Sequence, residues 1–340
     1  EKLTDQYGNK NILTDLIVYN CLELTSSEIA SNSGFLGNTN IERQEVHNVT
    51  FLSNLSGAPR DAEGNIDIDD DNCWDVSARN DKSIIAWRTA SAPYTVYIGS
   101  KDEIFANQNS SYLFAHIGYG NNSTDTQTIE GIDYLNVRSV TNMASMFEGC
   151  GKKSMTTFTL GSNFDTSNVT NMSAMFKNFG QNNQASLALG TQFITNEVTN
   201  MSSMFEGCGT TAMTAINLGG NFNTEKVTNM DSMFKNCAPK ITNINLGNKF
   251  DTSIVTDMGS MFEGFGATSL KSLDLGNLFY TNKVTVTDMN NMFKGCGTSA
   301  MTVLDLGPAF TKISTEHSNF MTGCGSATLI IYAPESIYAD

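Results

Sequence analysis

The chain has 340 residues, 16% of them charged, and a formal net charge of −15 at pH 7. That acidic balance excludes nucleic acid as the expected partner, because a phosphate backbone calls for a basic face. No run of residues is apolar and long enough for a membrane-spanning helix, so no membrane insertion is expected within this chain. No leader segment or Leu-Pro-x-Thr-Gly anchor is read, and Glu1 at the start fits a processed or trimmed protein.

Residues 1–109 read as a mostly-β N-terminal domain. The segment from Leu13 to Ile29 mixes helical and strand signals and is left unassigned. Asn48 to Leu52 is an expected strand, and Ser83–Trp87 with Tyr94–Gly99 has the alternation of a hairpin. Acidic residues outnumber basic ones 17 to 8 over residues 1–110, so most of the net charge sits in a third of the chain. The densest part runs from Asp61 to Asn72. Its order differs from an EF-hand loop, so a solvated acidic turn is preferred, with Ca²⁺ on Asp67, Asp69 and Asp71 as the alternative. Cys21 and Cys73 lie here too, and both pairing and free thiols are open to them.

Residues 110–139 read as a degenerate opening unit. Ser110, Leu113, Phe114 and Ile117 copy the spacing of the repeats that follow, and Ile129 and Ile132 are its expected strand. Residues 140–332 form the repeat array, and 333–340 a tail. The phrase Val-Thr-Asn-Met-x-x-Met-Phe-x-x-Cys-Gly starts at Val140, Val169, Val198, Val227, Val255 and Val286, with a worn seventh copy from Ser314 to Gly325. Such a period predicts a stack of small units, each unable to bury its apolar face alone.

Within a unit, Met201, Met204, Phe205 and Cys208 fall at i, i+3, i+4 and i+7, the stripe of a short helix. Thr199 or Asn200 would cap it and Gly209 would end it. A second phrase, such as Leu270 to Gly276, alternates like a short strand. A Phe follows at 164, 193, 222, 250, 279 and 310, expected to pin the loop to the next helix. The expected fold class is therefore an α/β solenoid of short parallel strands and short helices.

On the strand face the outward positions include Asn217, Asn245, Asp274 and Asp305. They form the candidate binding face, a small polar surface with neither an aromatic ladder nor a basic stripe. Five of the seven cysteines (150, 208, 237, 296 and 324) share one repeat position, which is Phe179 or Phe265 in other copies. A place that takes Cys or Phe is an apolar packing site. Helices in neighbouring units would also sit about 8–10 Å apart, too far for a disulfide. Most of the 16 Met occupy the two Met positions and read as core rather than as metal ligands. His317 stands in a Met position of the last unit and reads as a cap residue facing water.

The phrases Asp165 to Phe176, Trp74-Asp-Val-Ser77, Ile85-Ala-Trp87, Tyr97-Ile-Gly99 and Ser110 to Phe114 together resemble bacterial surface proteins with BspA-like repeats, the DUF285 group. The likeness spans roughly residues 74 to 332, with extra length at Gly151 to Ser154 and its equivalents. It implies a leucine-rich-repeat-like fold, an extracellular or cell-surface location in a Gram-positive bacterium or mollicute, and adhesion to a host or matrix protein or a glycan. A structural spacer or a subunit of a self-assembled surface layer is the other reading. Neither a nucleophile–base arrangement nor a phosphate-binding loop is present, so no enzyme activity and no cofactor is expected.

Overall fold

The computed structural model describes residues 22, 43–118, 127–152, 155–156, 158–281 and 288–337. Most of Leu13–Ile29, Cys21 and the start of the sixth copy at Val286 lie outside these residues. The strands are β1 (Val46–Leu52), β2 (Cys73–Asp75), β3 (Ile85–Arg88), β4 (Tyr94–Gly99), β5 (Ile104–Phe105), β6 (Ile129–Glu130), β7 (Leu135–Asn136), β8 (Ser186–Ala188), β9 (Ala215–Asn217), β10 (Ser272–Asp274), β11 (Val303–Asp305) and β12 (Ile330–Tyr332).

Near the N-terminus five strands pair in the order β2-β3-β4-β1-β6. The expected hairpin is present as the antiparallel pair β3–β4. Strand β1 runs parallel to both β4 and β6. Ile129 thus joins the N-terminal sheet, while β5 and β7 pair on their own. One hydrophobic core cluster runs unbroken from this sheet into the repeats.

The expected α/β solenoid is overturned by the backbone. Among the described residues there is no α-helix, only three-residue 3-10 turns at Arg43–Glu45, Ile132–Tyr134 and Glu335–Ile337. Outside the N-terminal sheet the strands form only small sheets of three, two and two strands. The stripe Met201, Met204, Phe205 and Cys208 is fully buried as the spacing demands, but a chain of overlapping turns buries it. The N–H groups of Met204, Glu206 and Cys208 close turns onto the carbonyls three residues back. Those of Met201, Ser203, Phe205 and Gly207 instead cross to Asn229, Asp231, Met233 and Lys235 of the next copy, at 2.7–3.0 Å. A helix would keep all its interior N–H groups within itself; here every second one binds a neighbour. The left-handed backbone at Ser203 (φ 55°) and Gly207 (φ 63°) makes the alternation possible and forbids helix propagation.

These turn segments stack in register as coils. Asn109, Asn142, Asn171, Asn200, Asn229, Asp257 and Asp288 are joined by parallel bridges from coil to coil. Each of these side chains also accepts the backbone N–H two residues on, as Asn200 does from Ser202 at 3.0 Å. Inside the coils, Phe114, Phe147, Phe176, Phe205, Phe234, Phe262 and Phe293 form one column, with centroids 5.1–5.8 Å apart and planes within 11° of parallel. Phe51 meets one end edge-on at 6.0 Å and Phe320 the other at 5.4 Å. The loop-pinning phenylalanines are buried as well, and Phe222, Phe250, Phe279 and Phe310 stack in a second row.

Two further columns sort the coils. Buried Thr166, Thr195, Thr224 and Thr252 each donate a hydroxyl hydrogen bond to a carbonyl of the next coil, at 2.7–2.8 Å. On the surface, Glu148, Lys177, Glu206, Lys235, Glu263 and Lys294 occupy one position and alternate in sign. Lys177 pairs with Glu206 at 2.8 Å, while Lys235 and Lys294 both reach Glu263 at 2.9 and 3.0 Å. Burial opposes ionisation of Glu263, but the hydrogen bonds from the two lysines outweigh it and hold its carboxyl below the usual range.

The first coil is closed by Arg43. Its buried guanidinium donates to the carbonyls of Tyr112 and Leu113, both at 3.0 Å, and to Ala115 at 3.4 Å. Burial lowers its pKa to about 10, which leaves it charged at neutral pH.

Truncation of the aromatic column should be severe: Phe205→Ala is expected to cost about 3–5 kcal/mol in urea unfolding, with Phe205→Leu well below that. A loss under about 1 kcal/mol would show that the column is not a principal brace. Arg43→Met is expected to cost about 2–4 kcal/mol, because it strands buried carbonyls; an unchanged midpoint would assign the closure elsewhere.

Candidate binding face

The strand positions of successive coils make one side of the stack, with Asn217, Asn245 and Asp274 exposed and Asp305 half-buried. Their side chains are already engaged locally. Asn217, Asn245, Asp274 and Asp305 each accept the backbone N–H of the glycine two residues on, at 3.0, 2.9, 2.8 and 2.9 Å. An Asx side chain that closes such a turn holds the chain as it leaves the strand.

Across the outward face of these positions runs an open groove of about 610 Å³, lined by Ala188, Thr191, Ala215, Asn217, Asn243 and Asn245 among others. A second hollow of about 670 Å³ shares Asn245 and Gly247 and runs on to Asn277. The coil between β9 and β10 has no assigned strand; its copy runs 28 residues from Val227 to Val255, against 29 and 31 for the copies on either side, and carries Pro239. The groove floor is small and uncharged, so an occupant would be held by shape and by hydrogen bonds to amide groups. Asp274 and Asp305 lie outside the first hollow, whose lining includes Asn217 and Asn245.

Three carboxylates of the acidic loop, those of Asp61, Asp67 and Asp70, are engaged by its own backbone. Asp61 accepts the N–H groups of Glu63 and Asn65 at 3.0 and 2.8 Å, which lowers its pKa. Asp67 accepts the N–H of Asp69 at 3.0 Å, and Asp70 that of Asn72 at 2.7 Å. Asp69 and Asp71 are exposed. No group of three or more His, Cys, Asp or Glu among the described residues is placed to hold a metal ion. Cys73 is buried, and Cys21 lies outside the described residues. Cys150, Cys208, Cys237 and Cys296 are fully buried and Cys324 partly so. His317 is exposed at the last coil, with Nδ1 against the Ser314 carbonyl.

One acidic group on the turn side was not singled out by the sequence reading. A side chain at Gly259 would come within 3.0 Å of Asp231 Oδ1 and 3.2 Å of the Asp288 carboxylate. Burial pushes the Asp231 carboxyl up, a Ser232 hydrogen bond opposes this, and Asp257 and Asp288 push it further. The folded state therefore holds that proton more tightly than the unfolded chain. Stability from this group is present at low pH and is lost as pH rises past the ordinary carboxylate value.

Asp231→Asn should therefore raise the thermal midpoint at pH 7 by a few degrees at most, with the gain vanishing below about pH 3. A gain that persists at low pH would contradict the ionisation account. Asn245→Ala should cost about 1 kcal/mol through the lost turn closure; no loss would free that side chain for ligand contact alone.

No helix among the described residues is long and apolar enough to cross a membrane. No curated protein and no solved structure matches the chain. A family model described as "Mycoplasma protein of unknown function, DUF285" matches residues 111–215 and 211–304, more than half of the chain and most of the stacked coils. The chain belongs to the DUF285 family.

Proposed function

We propose that this chain is a non-catalytic binding protein of a bacterial surface, holding a host or matrix protein or a glycan in the groove beside Asn217 and Asn245. The observation that carries the reading is the groove itself, open, uncharged and continued across several coils. A surface already formed by stacked coils lowers the ordering cost of binding. The BspA-like resemblance supports the adhesion and extracellular parts of the reading. Purified chain would be titrated against extracellular-matrix proteins, mucins and glycans, alongside Ala215→Arg, which fills the groove from an exposed position. Saturable binding that Ala215→Arg weakens at least about tenfold, roughly 1.4 kcal/mol, is the expected result. A blank array, or binding indifferent to the substitution, would overturn it.

A second reading, a self-assembled surface structure, is favoured by one feature. Strand β12 is the edge of its sheet, with Ile330, Ile331 and Tyr332 exposed by 55, 36 and 56%. An open apolar edge is a template for another chain. Sedimentation should then show concentration-dependent growth that Ile331→Lys abolishes; a monomer across the whole range would remove this reading.

A further inference from the structure

The turn chains bring four cysteines into in-register pairs. Cys208 lies beside Cys237, and Cys296 beside Cys324: the Ala238 N–H donates to the Cys208 carbonyl and the Gly325 N–H to the Cys296 carbonyl, both at 2.8 Å. The spacing that argued against disulfides belonged to packed helices. Adjacent parallel backbones sit about 4.8 Å apart, inside the roughly 4.4–6.8 Å Cα window of a disulfide. Around the second pair the coils are held on both sides: the Gly295 N–H donates to the Thr322 carbonyl at 2.9 Å and the Gly325 N–H to Cys296 at 2.8 Å.

Access separates the two pairs. Cys208, Cys237 and Cys296 have no exposed surface, whereas Cys324 is partly open to solvent in the last coil. No further coil covers that end among the described residues. Access therefore puts the attacking thiolate at Cys324, the sulfur that a small reagent can reach.

We propose that Cys296 and Cys324 are a disulfide-forming pair that clasps the last coil to its neighbour when the protein meets a low-molecular-weight disulfide. The Cys324 thiolate attacks one sulfur of that disulfide, forming a mixed disulfide and releasing one small thiolate. The released small thiolate takes up the Cys296 proton, and the Cys296 thiolate attacks Cys324 Sγ, displacing the second small thiolate. Two protein thiols are oxidised, and the co-reactant is reduced to two thiols.

The test uses the whole chain in a buffer of oxidised and reduced glutathione, followed by alkylation and peptide mapping by mass. The expected product is one cross-link between the Cys296 and Cys324 peptides, with Cys150, Cys208 and Cys237 still alkylatable after unfolding. The cross-linked chain should also melt several degrees higher, since the bridge closes a loop between residues 28 apart. Cys324→Ser should leave Cys296 a free thiol. Recovery of Cys324 only as its glutathione adduct, as a free thiol, or joined to another cysteine would overturn the proposal. So would equal oxidation of the buried Cys208–Cys237 pair.

Discussion

Every second backbone N–H in the turn segments is donated to the next coil, and the rest of the structure depends on that export. A coil that kept its hydrogen bonds within itself would be a short helix and could pack against a neighbour at many angles. A coil that gives half of them away has one register open to it. That register places Phe on Phe and Thr on carbonyl, and sets the repeated turn-closing Asx residues in line. The aromatic column is therefore less a cause of the stacking than what the backbone ladder permits. It in turn supplies the apolar burial that a ladder of hydrogen bonds alone would lack.

The two ends of the stack are handled differently. At the first coil the carbonyls facing outward are taken up by the buried Arg43 guanidinium, and the N-terminal sheet continues the core. At the last coil the column residue becomes Met321, while Phe320 turns edge-on across Phe293. The aromatic stacking ends there by a swap of two neighbouring side chains. Strand β12 is left with apolar side chains in solvent.

Much of this was legible in the chain, and what was missed has identifiable causes. The repeat, the buried Met, Met, Phe and Cys positions and the β3–β4 hairpin follow from apolar spacing. Spacing of i, i+3, i+4 and i+7 does not separate a helix from a run of overlapping turns, because both bring the same residues to one side. The distinguishing signal lay in another column: Gly149, Asn178, Gly207, Asn236, Gly264, Gly295 and Gly323 all take positive φ. Gly and Asn recurring within the last turn of an expected helix are residues that favour left-handed backbone. On the strand face, exposure of Asn217 and Asn245 follows from alternation, and their local hydrogen bonds were readable as Asx two residues before Gly. The closure by Arg43 had no sequence signal, since it joins residues about seventy apart.

The alternating Glu and Lys column gives the array a parity. Each surface ion pair contributes little by itself, but like charges set side by side are unfavourable by a similar amount. Removing or duplicating a single coil between Glu148 and Lys294 would put glutamate next to glutamate, or lysine next to lysine. Removing or duplicating two leaves the alternation intact. A change of two coils at a time would therefore keep an alternation that a change of one would break.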